Sequence, residues 1–387
     1  MDSDSVTISL YSTAVPRFVD GVLNQLYQCM HSSFAYHSIY GNITQDTCTY
    51  VARKNGEVVA ALLFSIEDGM ARVLNEQLSL DADEIDRFSD YIFKEYPSVH
   101  IVWFPVIENK IGSLLFPYQQ SPCTQDIVLT LPETADAYLN SLGKATRSYI
   151  KRYLNKLKRS FPTMSCKTYG NNEVSEQHVR DIIALNRARM ASRCQSSSID
   201  EAETERIIRL VRLCGMVTMV TIDGRVCAGA INYRFGDNYF LSVISHDPEY
   251  DEFGLGTLCC YLGICECIAR HGREYHFLWG RYDYKYRLLG VQRDLSRLAI
   301  YRSRLQLFLN SRRALKLACE GYAYQARDWM ESKMRRLDNA SVRGRLAFHG
   351  LNGLKKLKRS VSRLRANRNN AIGESVSLHK ESSHGKG

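Results

Sequence analysis

Residues 216–279 read MVTMVTIDGRVCAGAINYRFGDNYFLSVISHDPEYDEFGLGTLCCYLGICECIARHGREYHFLW. This stretch decides the fold. Met216 to Ile222 and Arg225 to Arg234 flank Asp223-Gly224, a dipeptide that tolerates the left-handed backbone of a tight hairpin. Phe235 to Asn238 turns again, and Tyr239 to Ser245 makes a third strand. A loop from His246 to Phe253 leads through Gly254-Leu255-Gly256-Thr257 into a helix that Gly272 ends. Leu255, Leu258, Leu262, Cys265 and Ala269 form one stripe, and Tyr261, Ile264 and Ile268 another. A helix apolar on most sides is buried on most sides. Tyr275 to Trp279 reads as the strand that follows.

The same order, strand, Asx-Gly hairpin, strand, turn, strand, helix, strand, occurs earlier. Cys48 to Lys54 and Val58 to Phe64 flank Asn55-Gly56, Met70 to Leu74 follows, a helix opens at Asp81, and Val99 to Trp103 is a buried-type strand. This predicts an architectural duplication: an α/β chain with a mixed, mostly antiparallel sheet flanked by helices. The expected divisions are a first module over 1–125, a second over 126–300, a basic helical extension over 301–368 and a disordered tail over 369–387.

Between the two patterns lies a basic helix. Ile150, Tyr153, Leu154 and Leu157 share one face, which turns Lys144, Arg147, Lys151, Arg152, Lys156, Lys158 and Arg159 outward. Residues 301–368 hold 18 Lys or Arg against 4 Asp or Glu, more positive than the whole chain's +10, so the remainder is net acidic. Such charge suits a polyanionic substrate or an anionic lipid surface. It argues less for nucleic acid, since interleaved aromatics and DNA-reading motifs are absent. The 12 cysteines form no C-x-x-C pair and read as small core residues of a reducing cytosol, so no metal is expected. An acidic start without an apolar signal core, and no apolar run of membrane-spanning length, predict a cytoplasmic protein.

A helix N-terminus reached through glycines attracts phosphate, because its amides are unpaired and the backbone can be approached closely. With that loop, the chain resembles the GNAT acyltransferase superfamily, in its CelD/BioF-like, FemAB-related branch. Four blocks carry the resemblance: the basic helix from Leu142 to Arg152, the hairpin from Asp223 to Gly229, Asp247-Pro248-Glu249-Tyr250, and Gly280-Arg281-Tyr282-Asp283-Tyr284-Lys285.

The resemblance implies a donor such as acetyl-CoA or another acyl-CoA, wedged between two splayed strands. Val243 and Ser245 would pair with its arm, and Gly254, Gly256 and Thr257 would hold its pyrophosphate. One position departs from the superfamily: Asp251 stands where Gln or Arg is common, and a carboxylate there repels pyrophosphate unless it points away. Attack by an amine or hydroxyl needs a base, an oxyanion donor and an acid. His246 is a candidate base, Tyr284 a candidate acid for the thiolate, Lys285 an oxyanion or phosphate partner, and Asp283 an orienting group. Arg147, Lys151, Arg152, Asp247, Tyr250 and Arg281 are candidates for binding an anionic small-molecule or glycan acceptor, such as a cell-envelope or exopolysaccharide precursor. Two alternatives stay open: a Fem-like transferase that uses aminoacyl-tRNA, and a non-catalytic GNAT-like scaffold for an anionic partner.

Overall fold

Two Asx-Gly turns frame the fold as the sequence predicts. Asn55 and Gly56 both take positive φ (53° and 85°), as do Asp223 and Gly224 (52° and 77°). The computed structural model describes residues 6–108, 111–192 and 194–338. In chain order these form β1 (Val6–Tyr11), α1 (Phe18–Tyr27), α2 (Phe34–Ile39), β2 (Cys48–Lys54), β3 (Glu57–Glu67), β4 (Met70–Val73), α3 (Ala82–Glu95), β5 (Ile101–Ile107) and β6 (Tyr118–Thr130). Two linking helices follow, α4 (Ala135–Ser141) and α5 (Lys144–Ser160). The pattern then repeats as β7 (Ser165–Gly170), α6 (Glu176–Ser192), α7 (Glu201–Cys214), β8 (Gly215–Ile222), β9 (Arg225–Phe235), β10 (Asn238–His246), α8 (Leu255–Ala269), β11 (Glu274–His276) and, after the short α9 (Asp283–Arg287), β12 (Val291–Tyr301).

All 12 strands join one sheet in the order β1-β2-β3-β4-β5-β12-β6-β11-β10-β9-β8-β7. Adding six to each label of one half generates the other, so the topology has a pseudo-two-fold between β12 and β6. The neighbours of that axis are exchanged. β6, made by the first half, pairs with β11 of the second, and β12, made by the second, pairs with β5 of the first. Cores are exchanged with the strands. Leu298 and Ile300 of β12 are buried with Phe88 and Phe104, while Ile127 and Leu129 of β6 are buried with Leu258 and Ile264 of α8.

The amino-acid pattern explains why β12 is hard to read. A register shift between Leu295 and Ser296 breaks its two-residue alternation, so core and solvent positions no longer alternate along the segment. The structure also extends the strand expected at Asp126 to Leu131 back to Tyr118, and shortens the one expected at Tyr275 to Trp279 to three residues. The N-terminal β1, α1 and α2 precede the first Asx-Gly hairpin.

Beyond the sheet, α10 (Arg304–Leu309) and α11 (Ser311–Asp338) follow. One compact unit runs to Gly321, and from Tyr322 the described part of a second is the remainder of α11. The rest of the basic extension and the tail expected over 369–387 lie outside the described residues. No helix among the described residues is long and apolar enough to cross a membrane.

Because Leu298 is fully buried in the first half's core, Leu298→Ala should lower the unfolding free energy by about 2–5 kcal/mol. Chemical denaturation followed by circular dichroism should show this as one cooperative transition. Two separate transitions would contradict a shared core.

Candidate active site

β10 and β11 run parallel, but their pairing lasts only from Asn238 opposite Glu274 to Phe240 opposite His276. Past that point β10 continues to His246 and the other chain leaves it. Left-handed backbone at Leu278 (φ 56°) and Gly280 (φ 92°) turns the second chain aside. A register shift between Leu241 and Val243 leaves Ser242 without an opposite residue on β9. The result is a wedge-shaped opening. It widens into a cleft of about 690 Å³, walled by Leu241 to Ile244, by Phe277 to Trp279, by Tyr282, Tyr284 and Lys285, and by α6 and α7.

Lys285 holds the opening. Its ammonium is buried, and it donates to the carbonyls of Phe277 (2.7 Å), Leu278 (3.0 Å) and Trp279 (2.8 Å). Those carbonyls belong to the segment that has left β10, and Lys285 gives them the partner a strand would have given. This corrects its expected role. All three ammonium protons are engaged by the backbone, so Lys285 positions the wall and has none left for an oxyanion or an acceptor phosphate. Burial pushes its pKa down to about 8.

The apex of the wedge is locked differently. His276 stacks on Phe240 at 4.3 Å between ring centroids, and its Nδ1 pairs with Asp126 Oδ2 at 2.7 Å. Arg293 donates twice to Glu274, at 2.6 and 3.1 Å. Burial disfavours the His276 imidazolium, but the hydrogen bond to Asp126 and the Glu274 carboxylate 3.4 Å from its Nε2 outweigh it and raise its pKa. The His276 ring beside it, with Arg293 and against burial, pulls Glu274 down to about 2. No sequence motif announces this cluster. Its members come from β6, β11 and β12, and nothing local marks them as neighbours.

Of the predicted residues, Val243, Tyr284 and Lys285 meet in the cleft. Burial raises the Tyr284 pKa, so its phenol stays protonated through the neutral range. Asp283 is exposed at the start of α9. Ser245 is fully buried in β10. His246 sits beyond the cleft, at the N-terminus of α8. Its Nε2 is 2.6 Å from Asp251 Oδ1, and its Nδ1 lies 2.6 Å from where a Cβ on Gly256 would stand. Asp251 therefore faces His246, which accounts for an acid at this loop.

The same loop is covered from a second side. Gly254 has φ 60°, and the Tyr149 hydroxyl of α5 fills the space where its Cβ would be. Burial raises the Tyr149 pKa, and the nearby Thr257 side chain is among the groups that oppose that rise. Thus Gly254, Gly256 and Thr257 do open α8, but side chains of this protein lie over them. A cavity of 300 Å³ beside Tyr149 is lined by Thr146, Ser148, Arg152 and Arg287.

The expected acceptor-binding set does not gather in the cleft. Arg147, Lys151 and Arg152 lie on α5, where Lys151 and Arg152 are exposed, and none of the three lines it. Arg281 is part-buried and is likewise absent from its walls. Asp247 is engaged by Arg225 (2.7 Å) and by the backbone amide of Glu249 (3.1 Å). Tyr250 packs against Phe161, and its hydrogen bond with Cys227 raises its pKa to about 12. Both shape the turn before α8. In their place α6 and α7 supply Asn186, Arg189, Glu203 and Arg206. Glu203 accepts from the Tyr40 hydroxyl at 2.7 Å and pairs with Arg206 at 3.1 Å.

A glycine loop opening a buried helix, beside a parallel strand pair that splays, is the arrangement of a GNAT-type fold. Residues 144–286 match the family described as Acetyltransferase (GNAT) domain. Among solved structures, FemX shares the fold at TM-score 0.57 and 8% identity, over 78% of this chain and 99% of that one. A conserved protein of unknown function from Bacteroides thetaiotaomicron VPI-5482 does so at TM-score 0.51 and 10% identity, over 76% and 100%. At such identities the likeness is one of fold. No curated protein sequence matches the chain.

Two outcomes follow. Lys285→Ala leaves three backbone carbonyls without a partner and should cost at least about 3 kcal/mol of stability, measured by denaturant titration; a loss below about 1 kcal/mol would show that the wall stands without it. Glu274, with its lowered pKa, adds stability above its ordinary value of 4.5 that is lost as pH falls toward about 2. His276, with its raised pKa, adds stability that is complete below its ordinary value of 6.5 and is lost as pH rises through the raised one. Melting temperatures followed against pH should therefore show an acid limb that Glu274→Gln flattens; an unaltered limb would remove Glu274 as its source.

Proposed function

We propose that the second half of the chain transfers an acyl group from a thioester donor lying in the β10–β11 wedge to an amine or hydroxyl that enters from the α6–α7 side. The observation that carries this reading is the wedge itself, three residues of parallel pairing that end at Phe240 and His276. Glu203, on the cleft wall, takes the proton of the attacking group as the new C–N or C–O bond forms. The C–S bond then breaks, and Tyr284 returns a proton to the departing thiolate. Arg189 and Arg206 add positive charge to the same wall and suit an anionic acceptor, such as an envelope-glycan or exopolysaccharide precursor. His246, held by Asp251 at the α8 end, is assigned to the donor's side of the wedge and not to the attacking group.

The donor is assigned to the acyl-CoA class, with Tyr149 moving off the α8 N-terminus to admit pyrophosphate. Calorimetry with acetyl-CoA and longer acyl-CoAs tests this. Tyr149→Ala should tighten binding by about tenfold, or roughly 1.4 kcal/mol, and Gly256→Asp should abolish it. The cover that Tyr149 places over Gly254 also favours a second reading, in which the donor is an aminoacyl-tRNA, as in Fem-like transfer, and the exposed cations of α5 meet its phosphates. No binding of any acyl-CoA by either the native chain or Tyr149→Ala would reject the first reading and leave the second.

A further inference from the structure

A second cavity opens beside the parallel pair β4–β5. The parallel pair β4–β5 spans Met70 opposite Ile101 to Arg72 opposite Trp103, just as β10–β11 spans Asn238 opposite Glu274 to Phe240 opposite His276. Arg72 and Trp103 thus occupy the positions at which the second half stacks Phe240 on His276 and closes its apex. In the first half nothing is stacked there. Trp103 is half-buried and has no aromatic or cationic ring contact among the described residues.

The cavity measures about 510 Å³. Its floor is apolar: Ile101, Ala299, Tyr301 and Leu317 form one small buried cluster, with Trp103 packed against it. Its walls carry four cations, Arg72, Arg297, Arg313 and Lys316, against two carboxylates, Glu76 and Glu320. Arg297 pairs with Glu320 at 2.5 Å. Glu76 lies within the electrostatic reach of Arg72 and Arg297. Arg313 and Lys316, both exposed at the start of α11, have no carboxylate partner among the described residues.

We propose that this cavity binds an anion bearing a planar ring, of the nucleoside-phosphate class, with the ring against Trp103 and the phosphates at Arg313 and Lys316. Each part answers a feature of the cavity. An indole without a ring partner over an apolar floor offers a stacking surface. Unpaired cations at the rim offer charge-assisted hydrogen bonds to phosphate oxygens. The site is separate from the wedge of the second half, and it stands whether or not that wedge transfers an acyl group.

Calorimetry on the full chain with ADP as the probe tests it, with pyrophosphate and adenosine as partial probes. The expected result is saturable ADP binding below about 1 mM that weakens with added salt. Pyrophosphate and adenosine should each bind at least about tenfold more weakly than ADP. Trp103→Leu and the double change Arg313→Glu with Lys316→Glu should each cost about tenfold or more. The exposed pair keeps the test decisive should Trp103→Leu fail to fold. Gly256→Asp, in the other half, should leave ADP binding as it is. Absence of saturation by about 5 mM ADP would overturn the proposal. So would ADP binding that ignores the double change, pyrophosphate binding as tight as ADP, or loss of ADP binding in Gly256→Asp, which would place the probe at α8.

Discussion

The exchange of β6 and β12 is the constraint on which the molecule rests. Each half builds five strands of its own sheet and takes the sixth from the other. The apolar side chains of the borrowed strand are fully buried in the receiving core, as Leu298 and Ile127 are. Neither half can close its core with its own residues alone. The axis between β6 and β12 is therefore the middle of one hydrogen-bonded sheet, and the Asp126–His276 contact joins β6 of the first half to β11 of the second. The wedge of the second half opens from this braced centre.

The two wedges differ because different side chains fill equivalent places. In the second half, Lys285 supplies the hydrogen bonds that the departing chain would otherwise seek from β10, so the opening persists without unpaired carbonyls. In the first half, the chain after β4 returns to its neighbour. Gln77 donates to the Val106 carbonyl, and Glu108 donates to that of Leu78. Backbone pairing thus closes the mouth of the first wedge, and no glycine loop precedes α3. One topology serves two purposes, decided by where the backbone groups find partners.

What could be read from the amino-acid sequence was local. The Asx-Gly hairpins were legible because turn chemistry is set by two residues. The helices α5 and α8 were legible because their faces repeat along the chain. The recurrence of the strand and helix order was legible for the same reason. The exchange of strands was not, since it concerns which strand meets which, and the bulge in β12 hid even its alternation. Of the site, Val243, Tyr284 and Lys285 lie together in the cleft, where the task of Lys285 is backbone support. The contribution of α6 and α7 was silent, because Glu203 and Arg206 look like ordinary charges on an amphipathic helix. Tyr149 was silent too: its reach onto Gly254 depends on how α5 lies across α8.

The exchange has a consequence in time. During synthesis the ribosome releases β5 long before β12, its partner on the sheet, has been made. Until Tyr301 has emerged, the first half displays an open edge at β5 and a core lacking Leu298 and Ile300. Domains that finish on their own can fold as they appear, one after another. Here the nascent first half must wait, its apolar edge exposed to the cell, until the last strand of the second arrives to complete it.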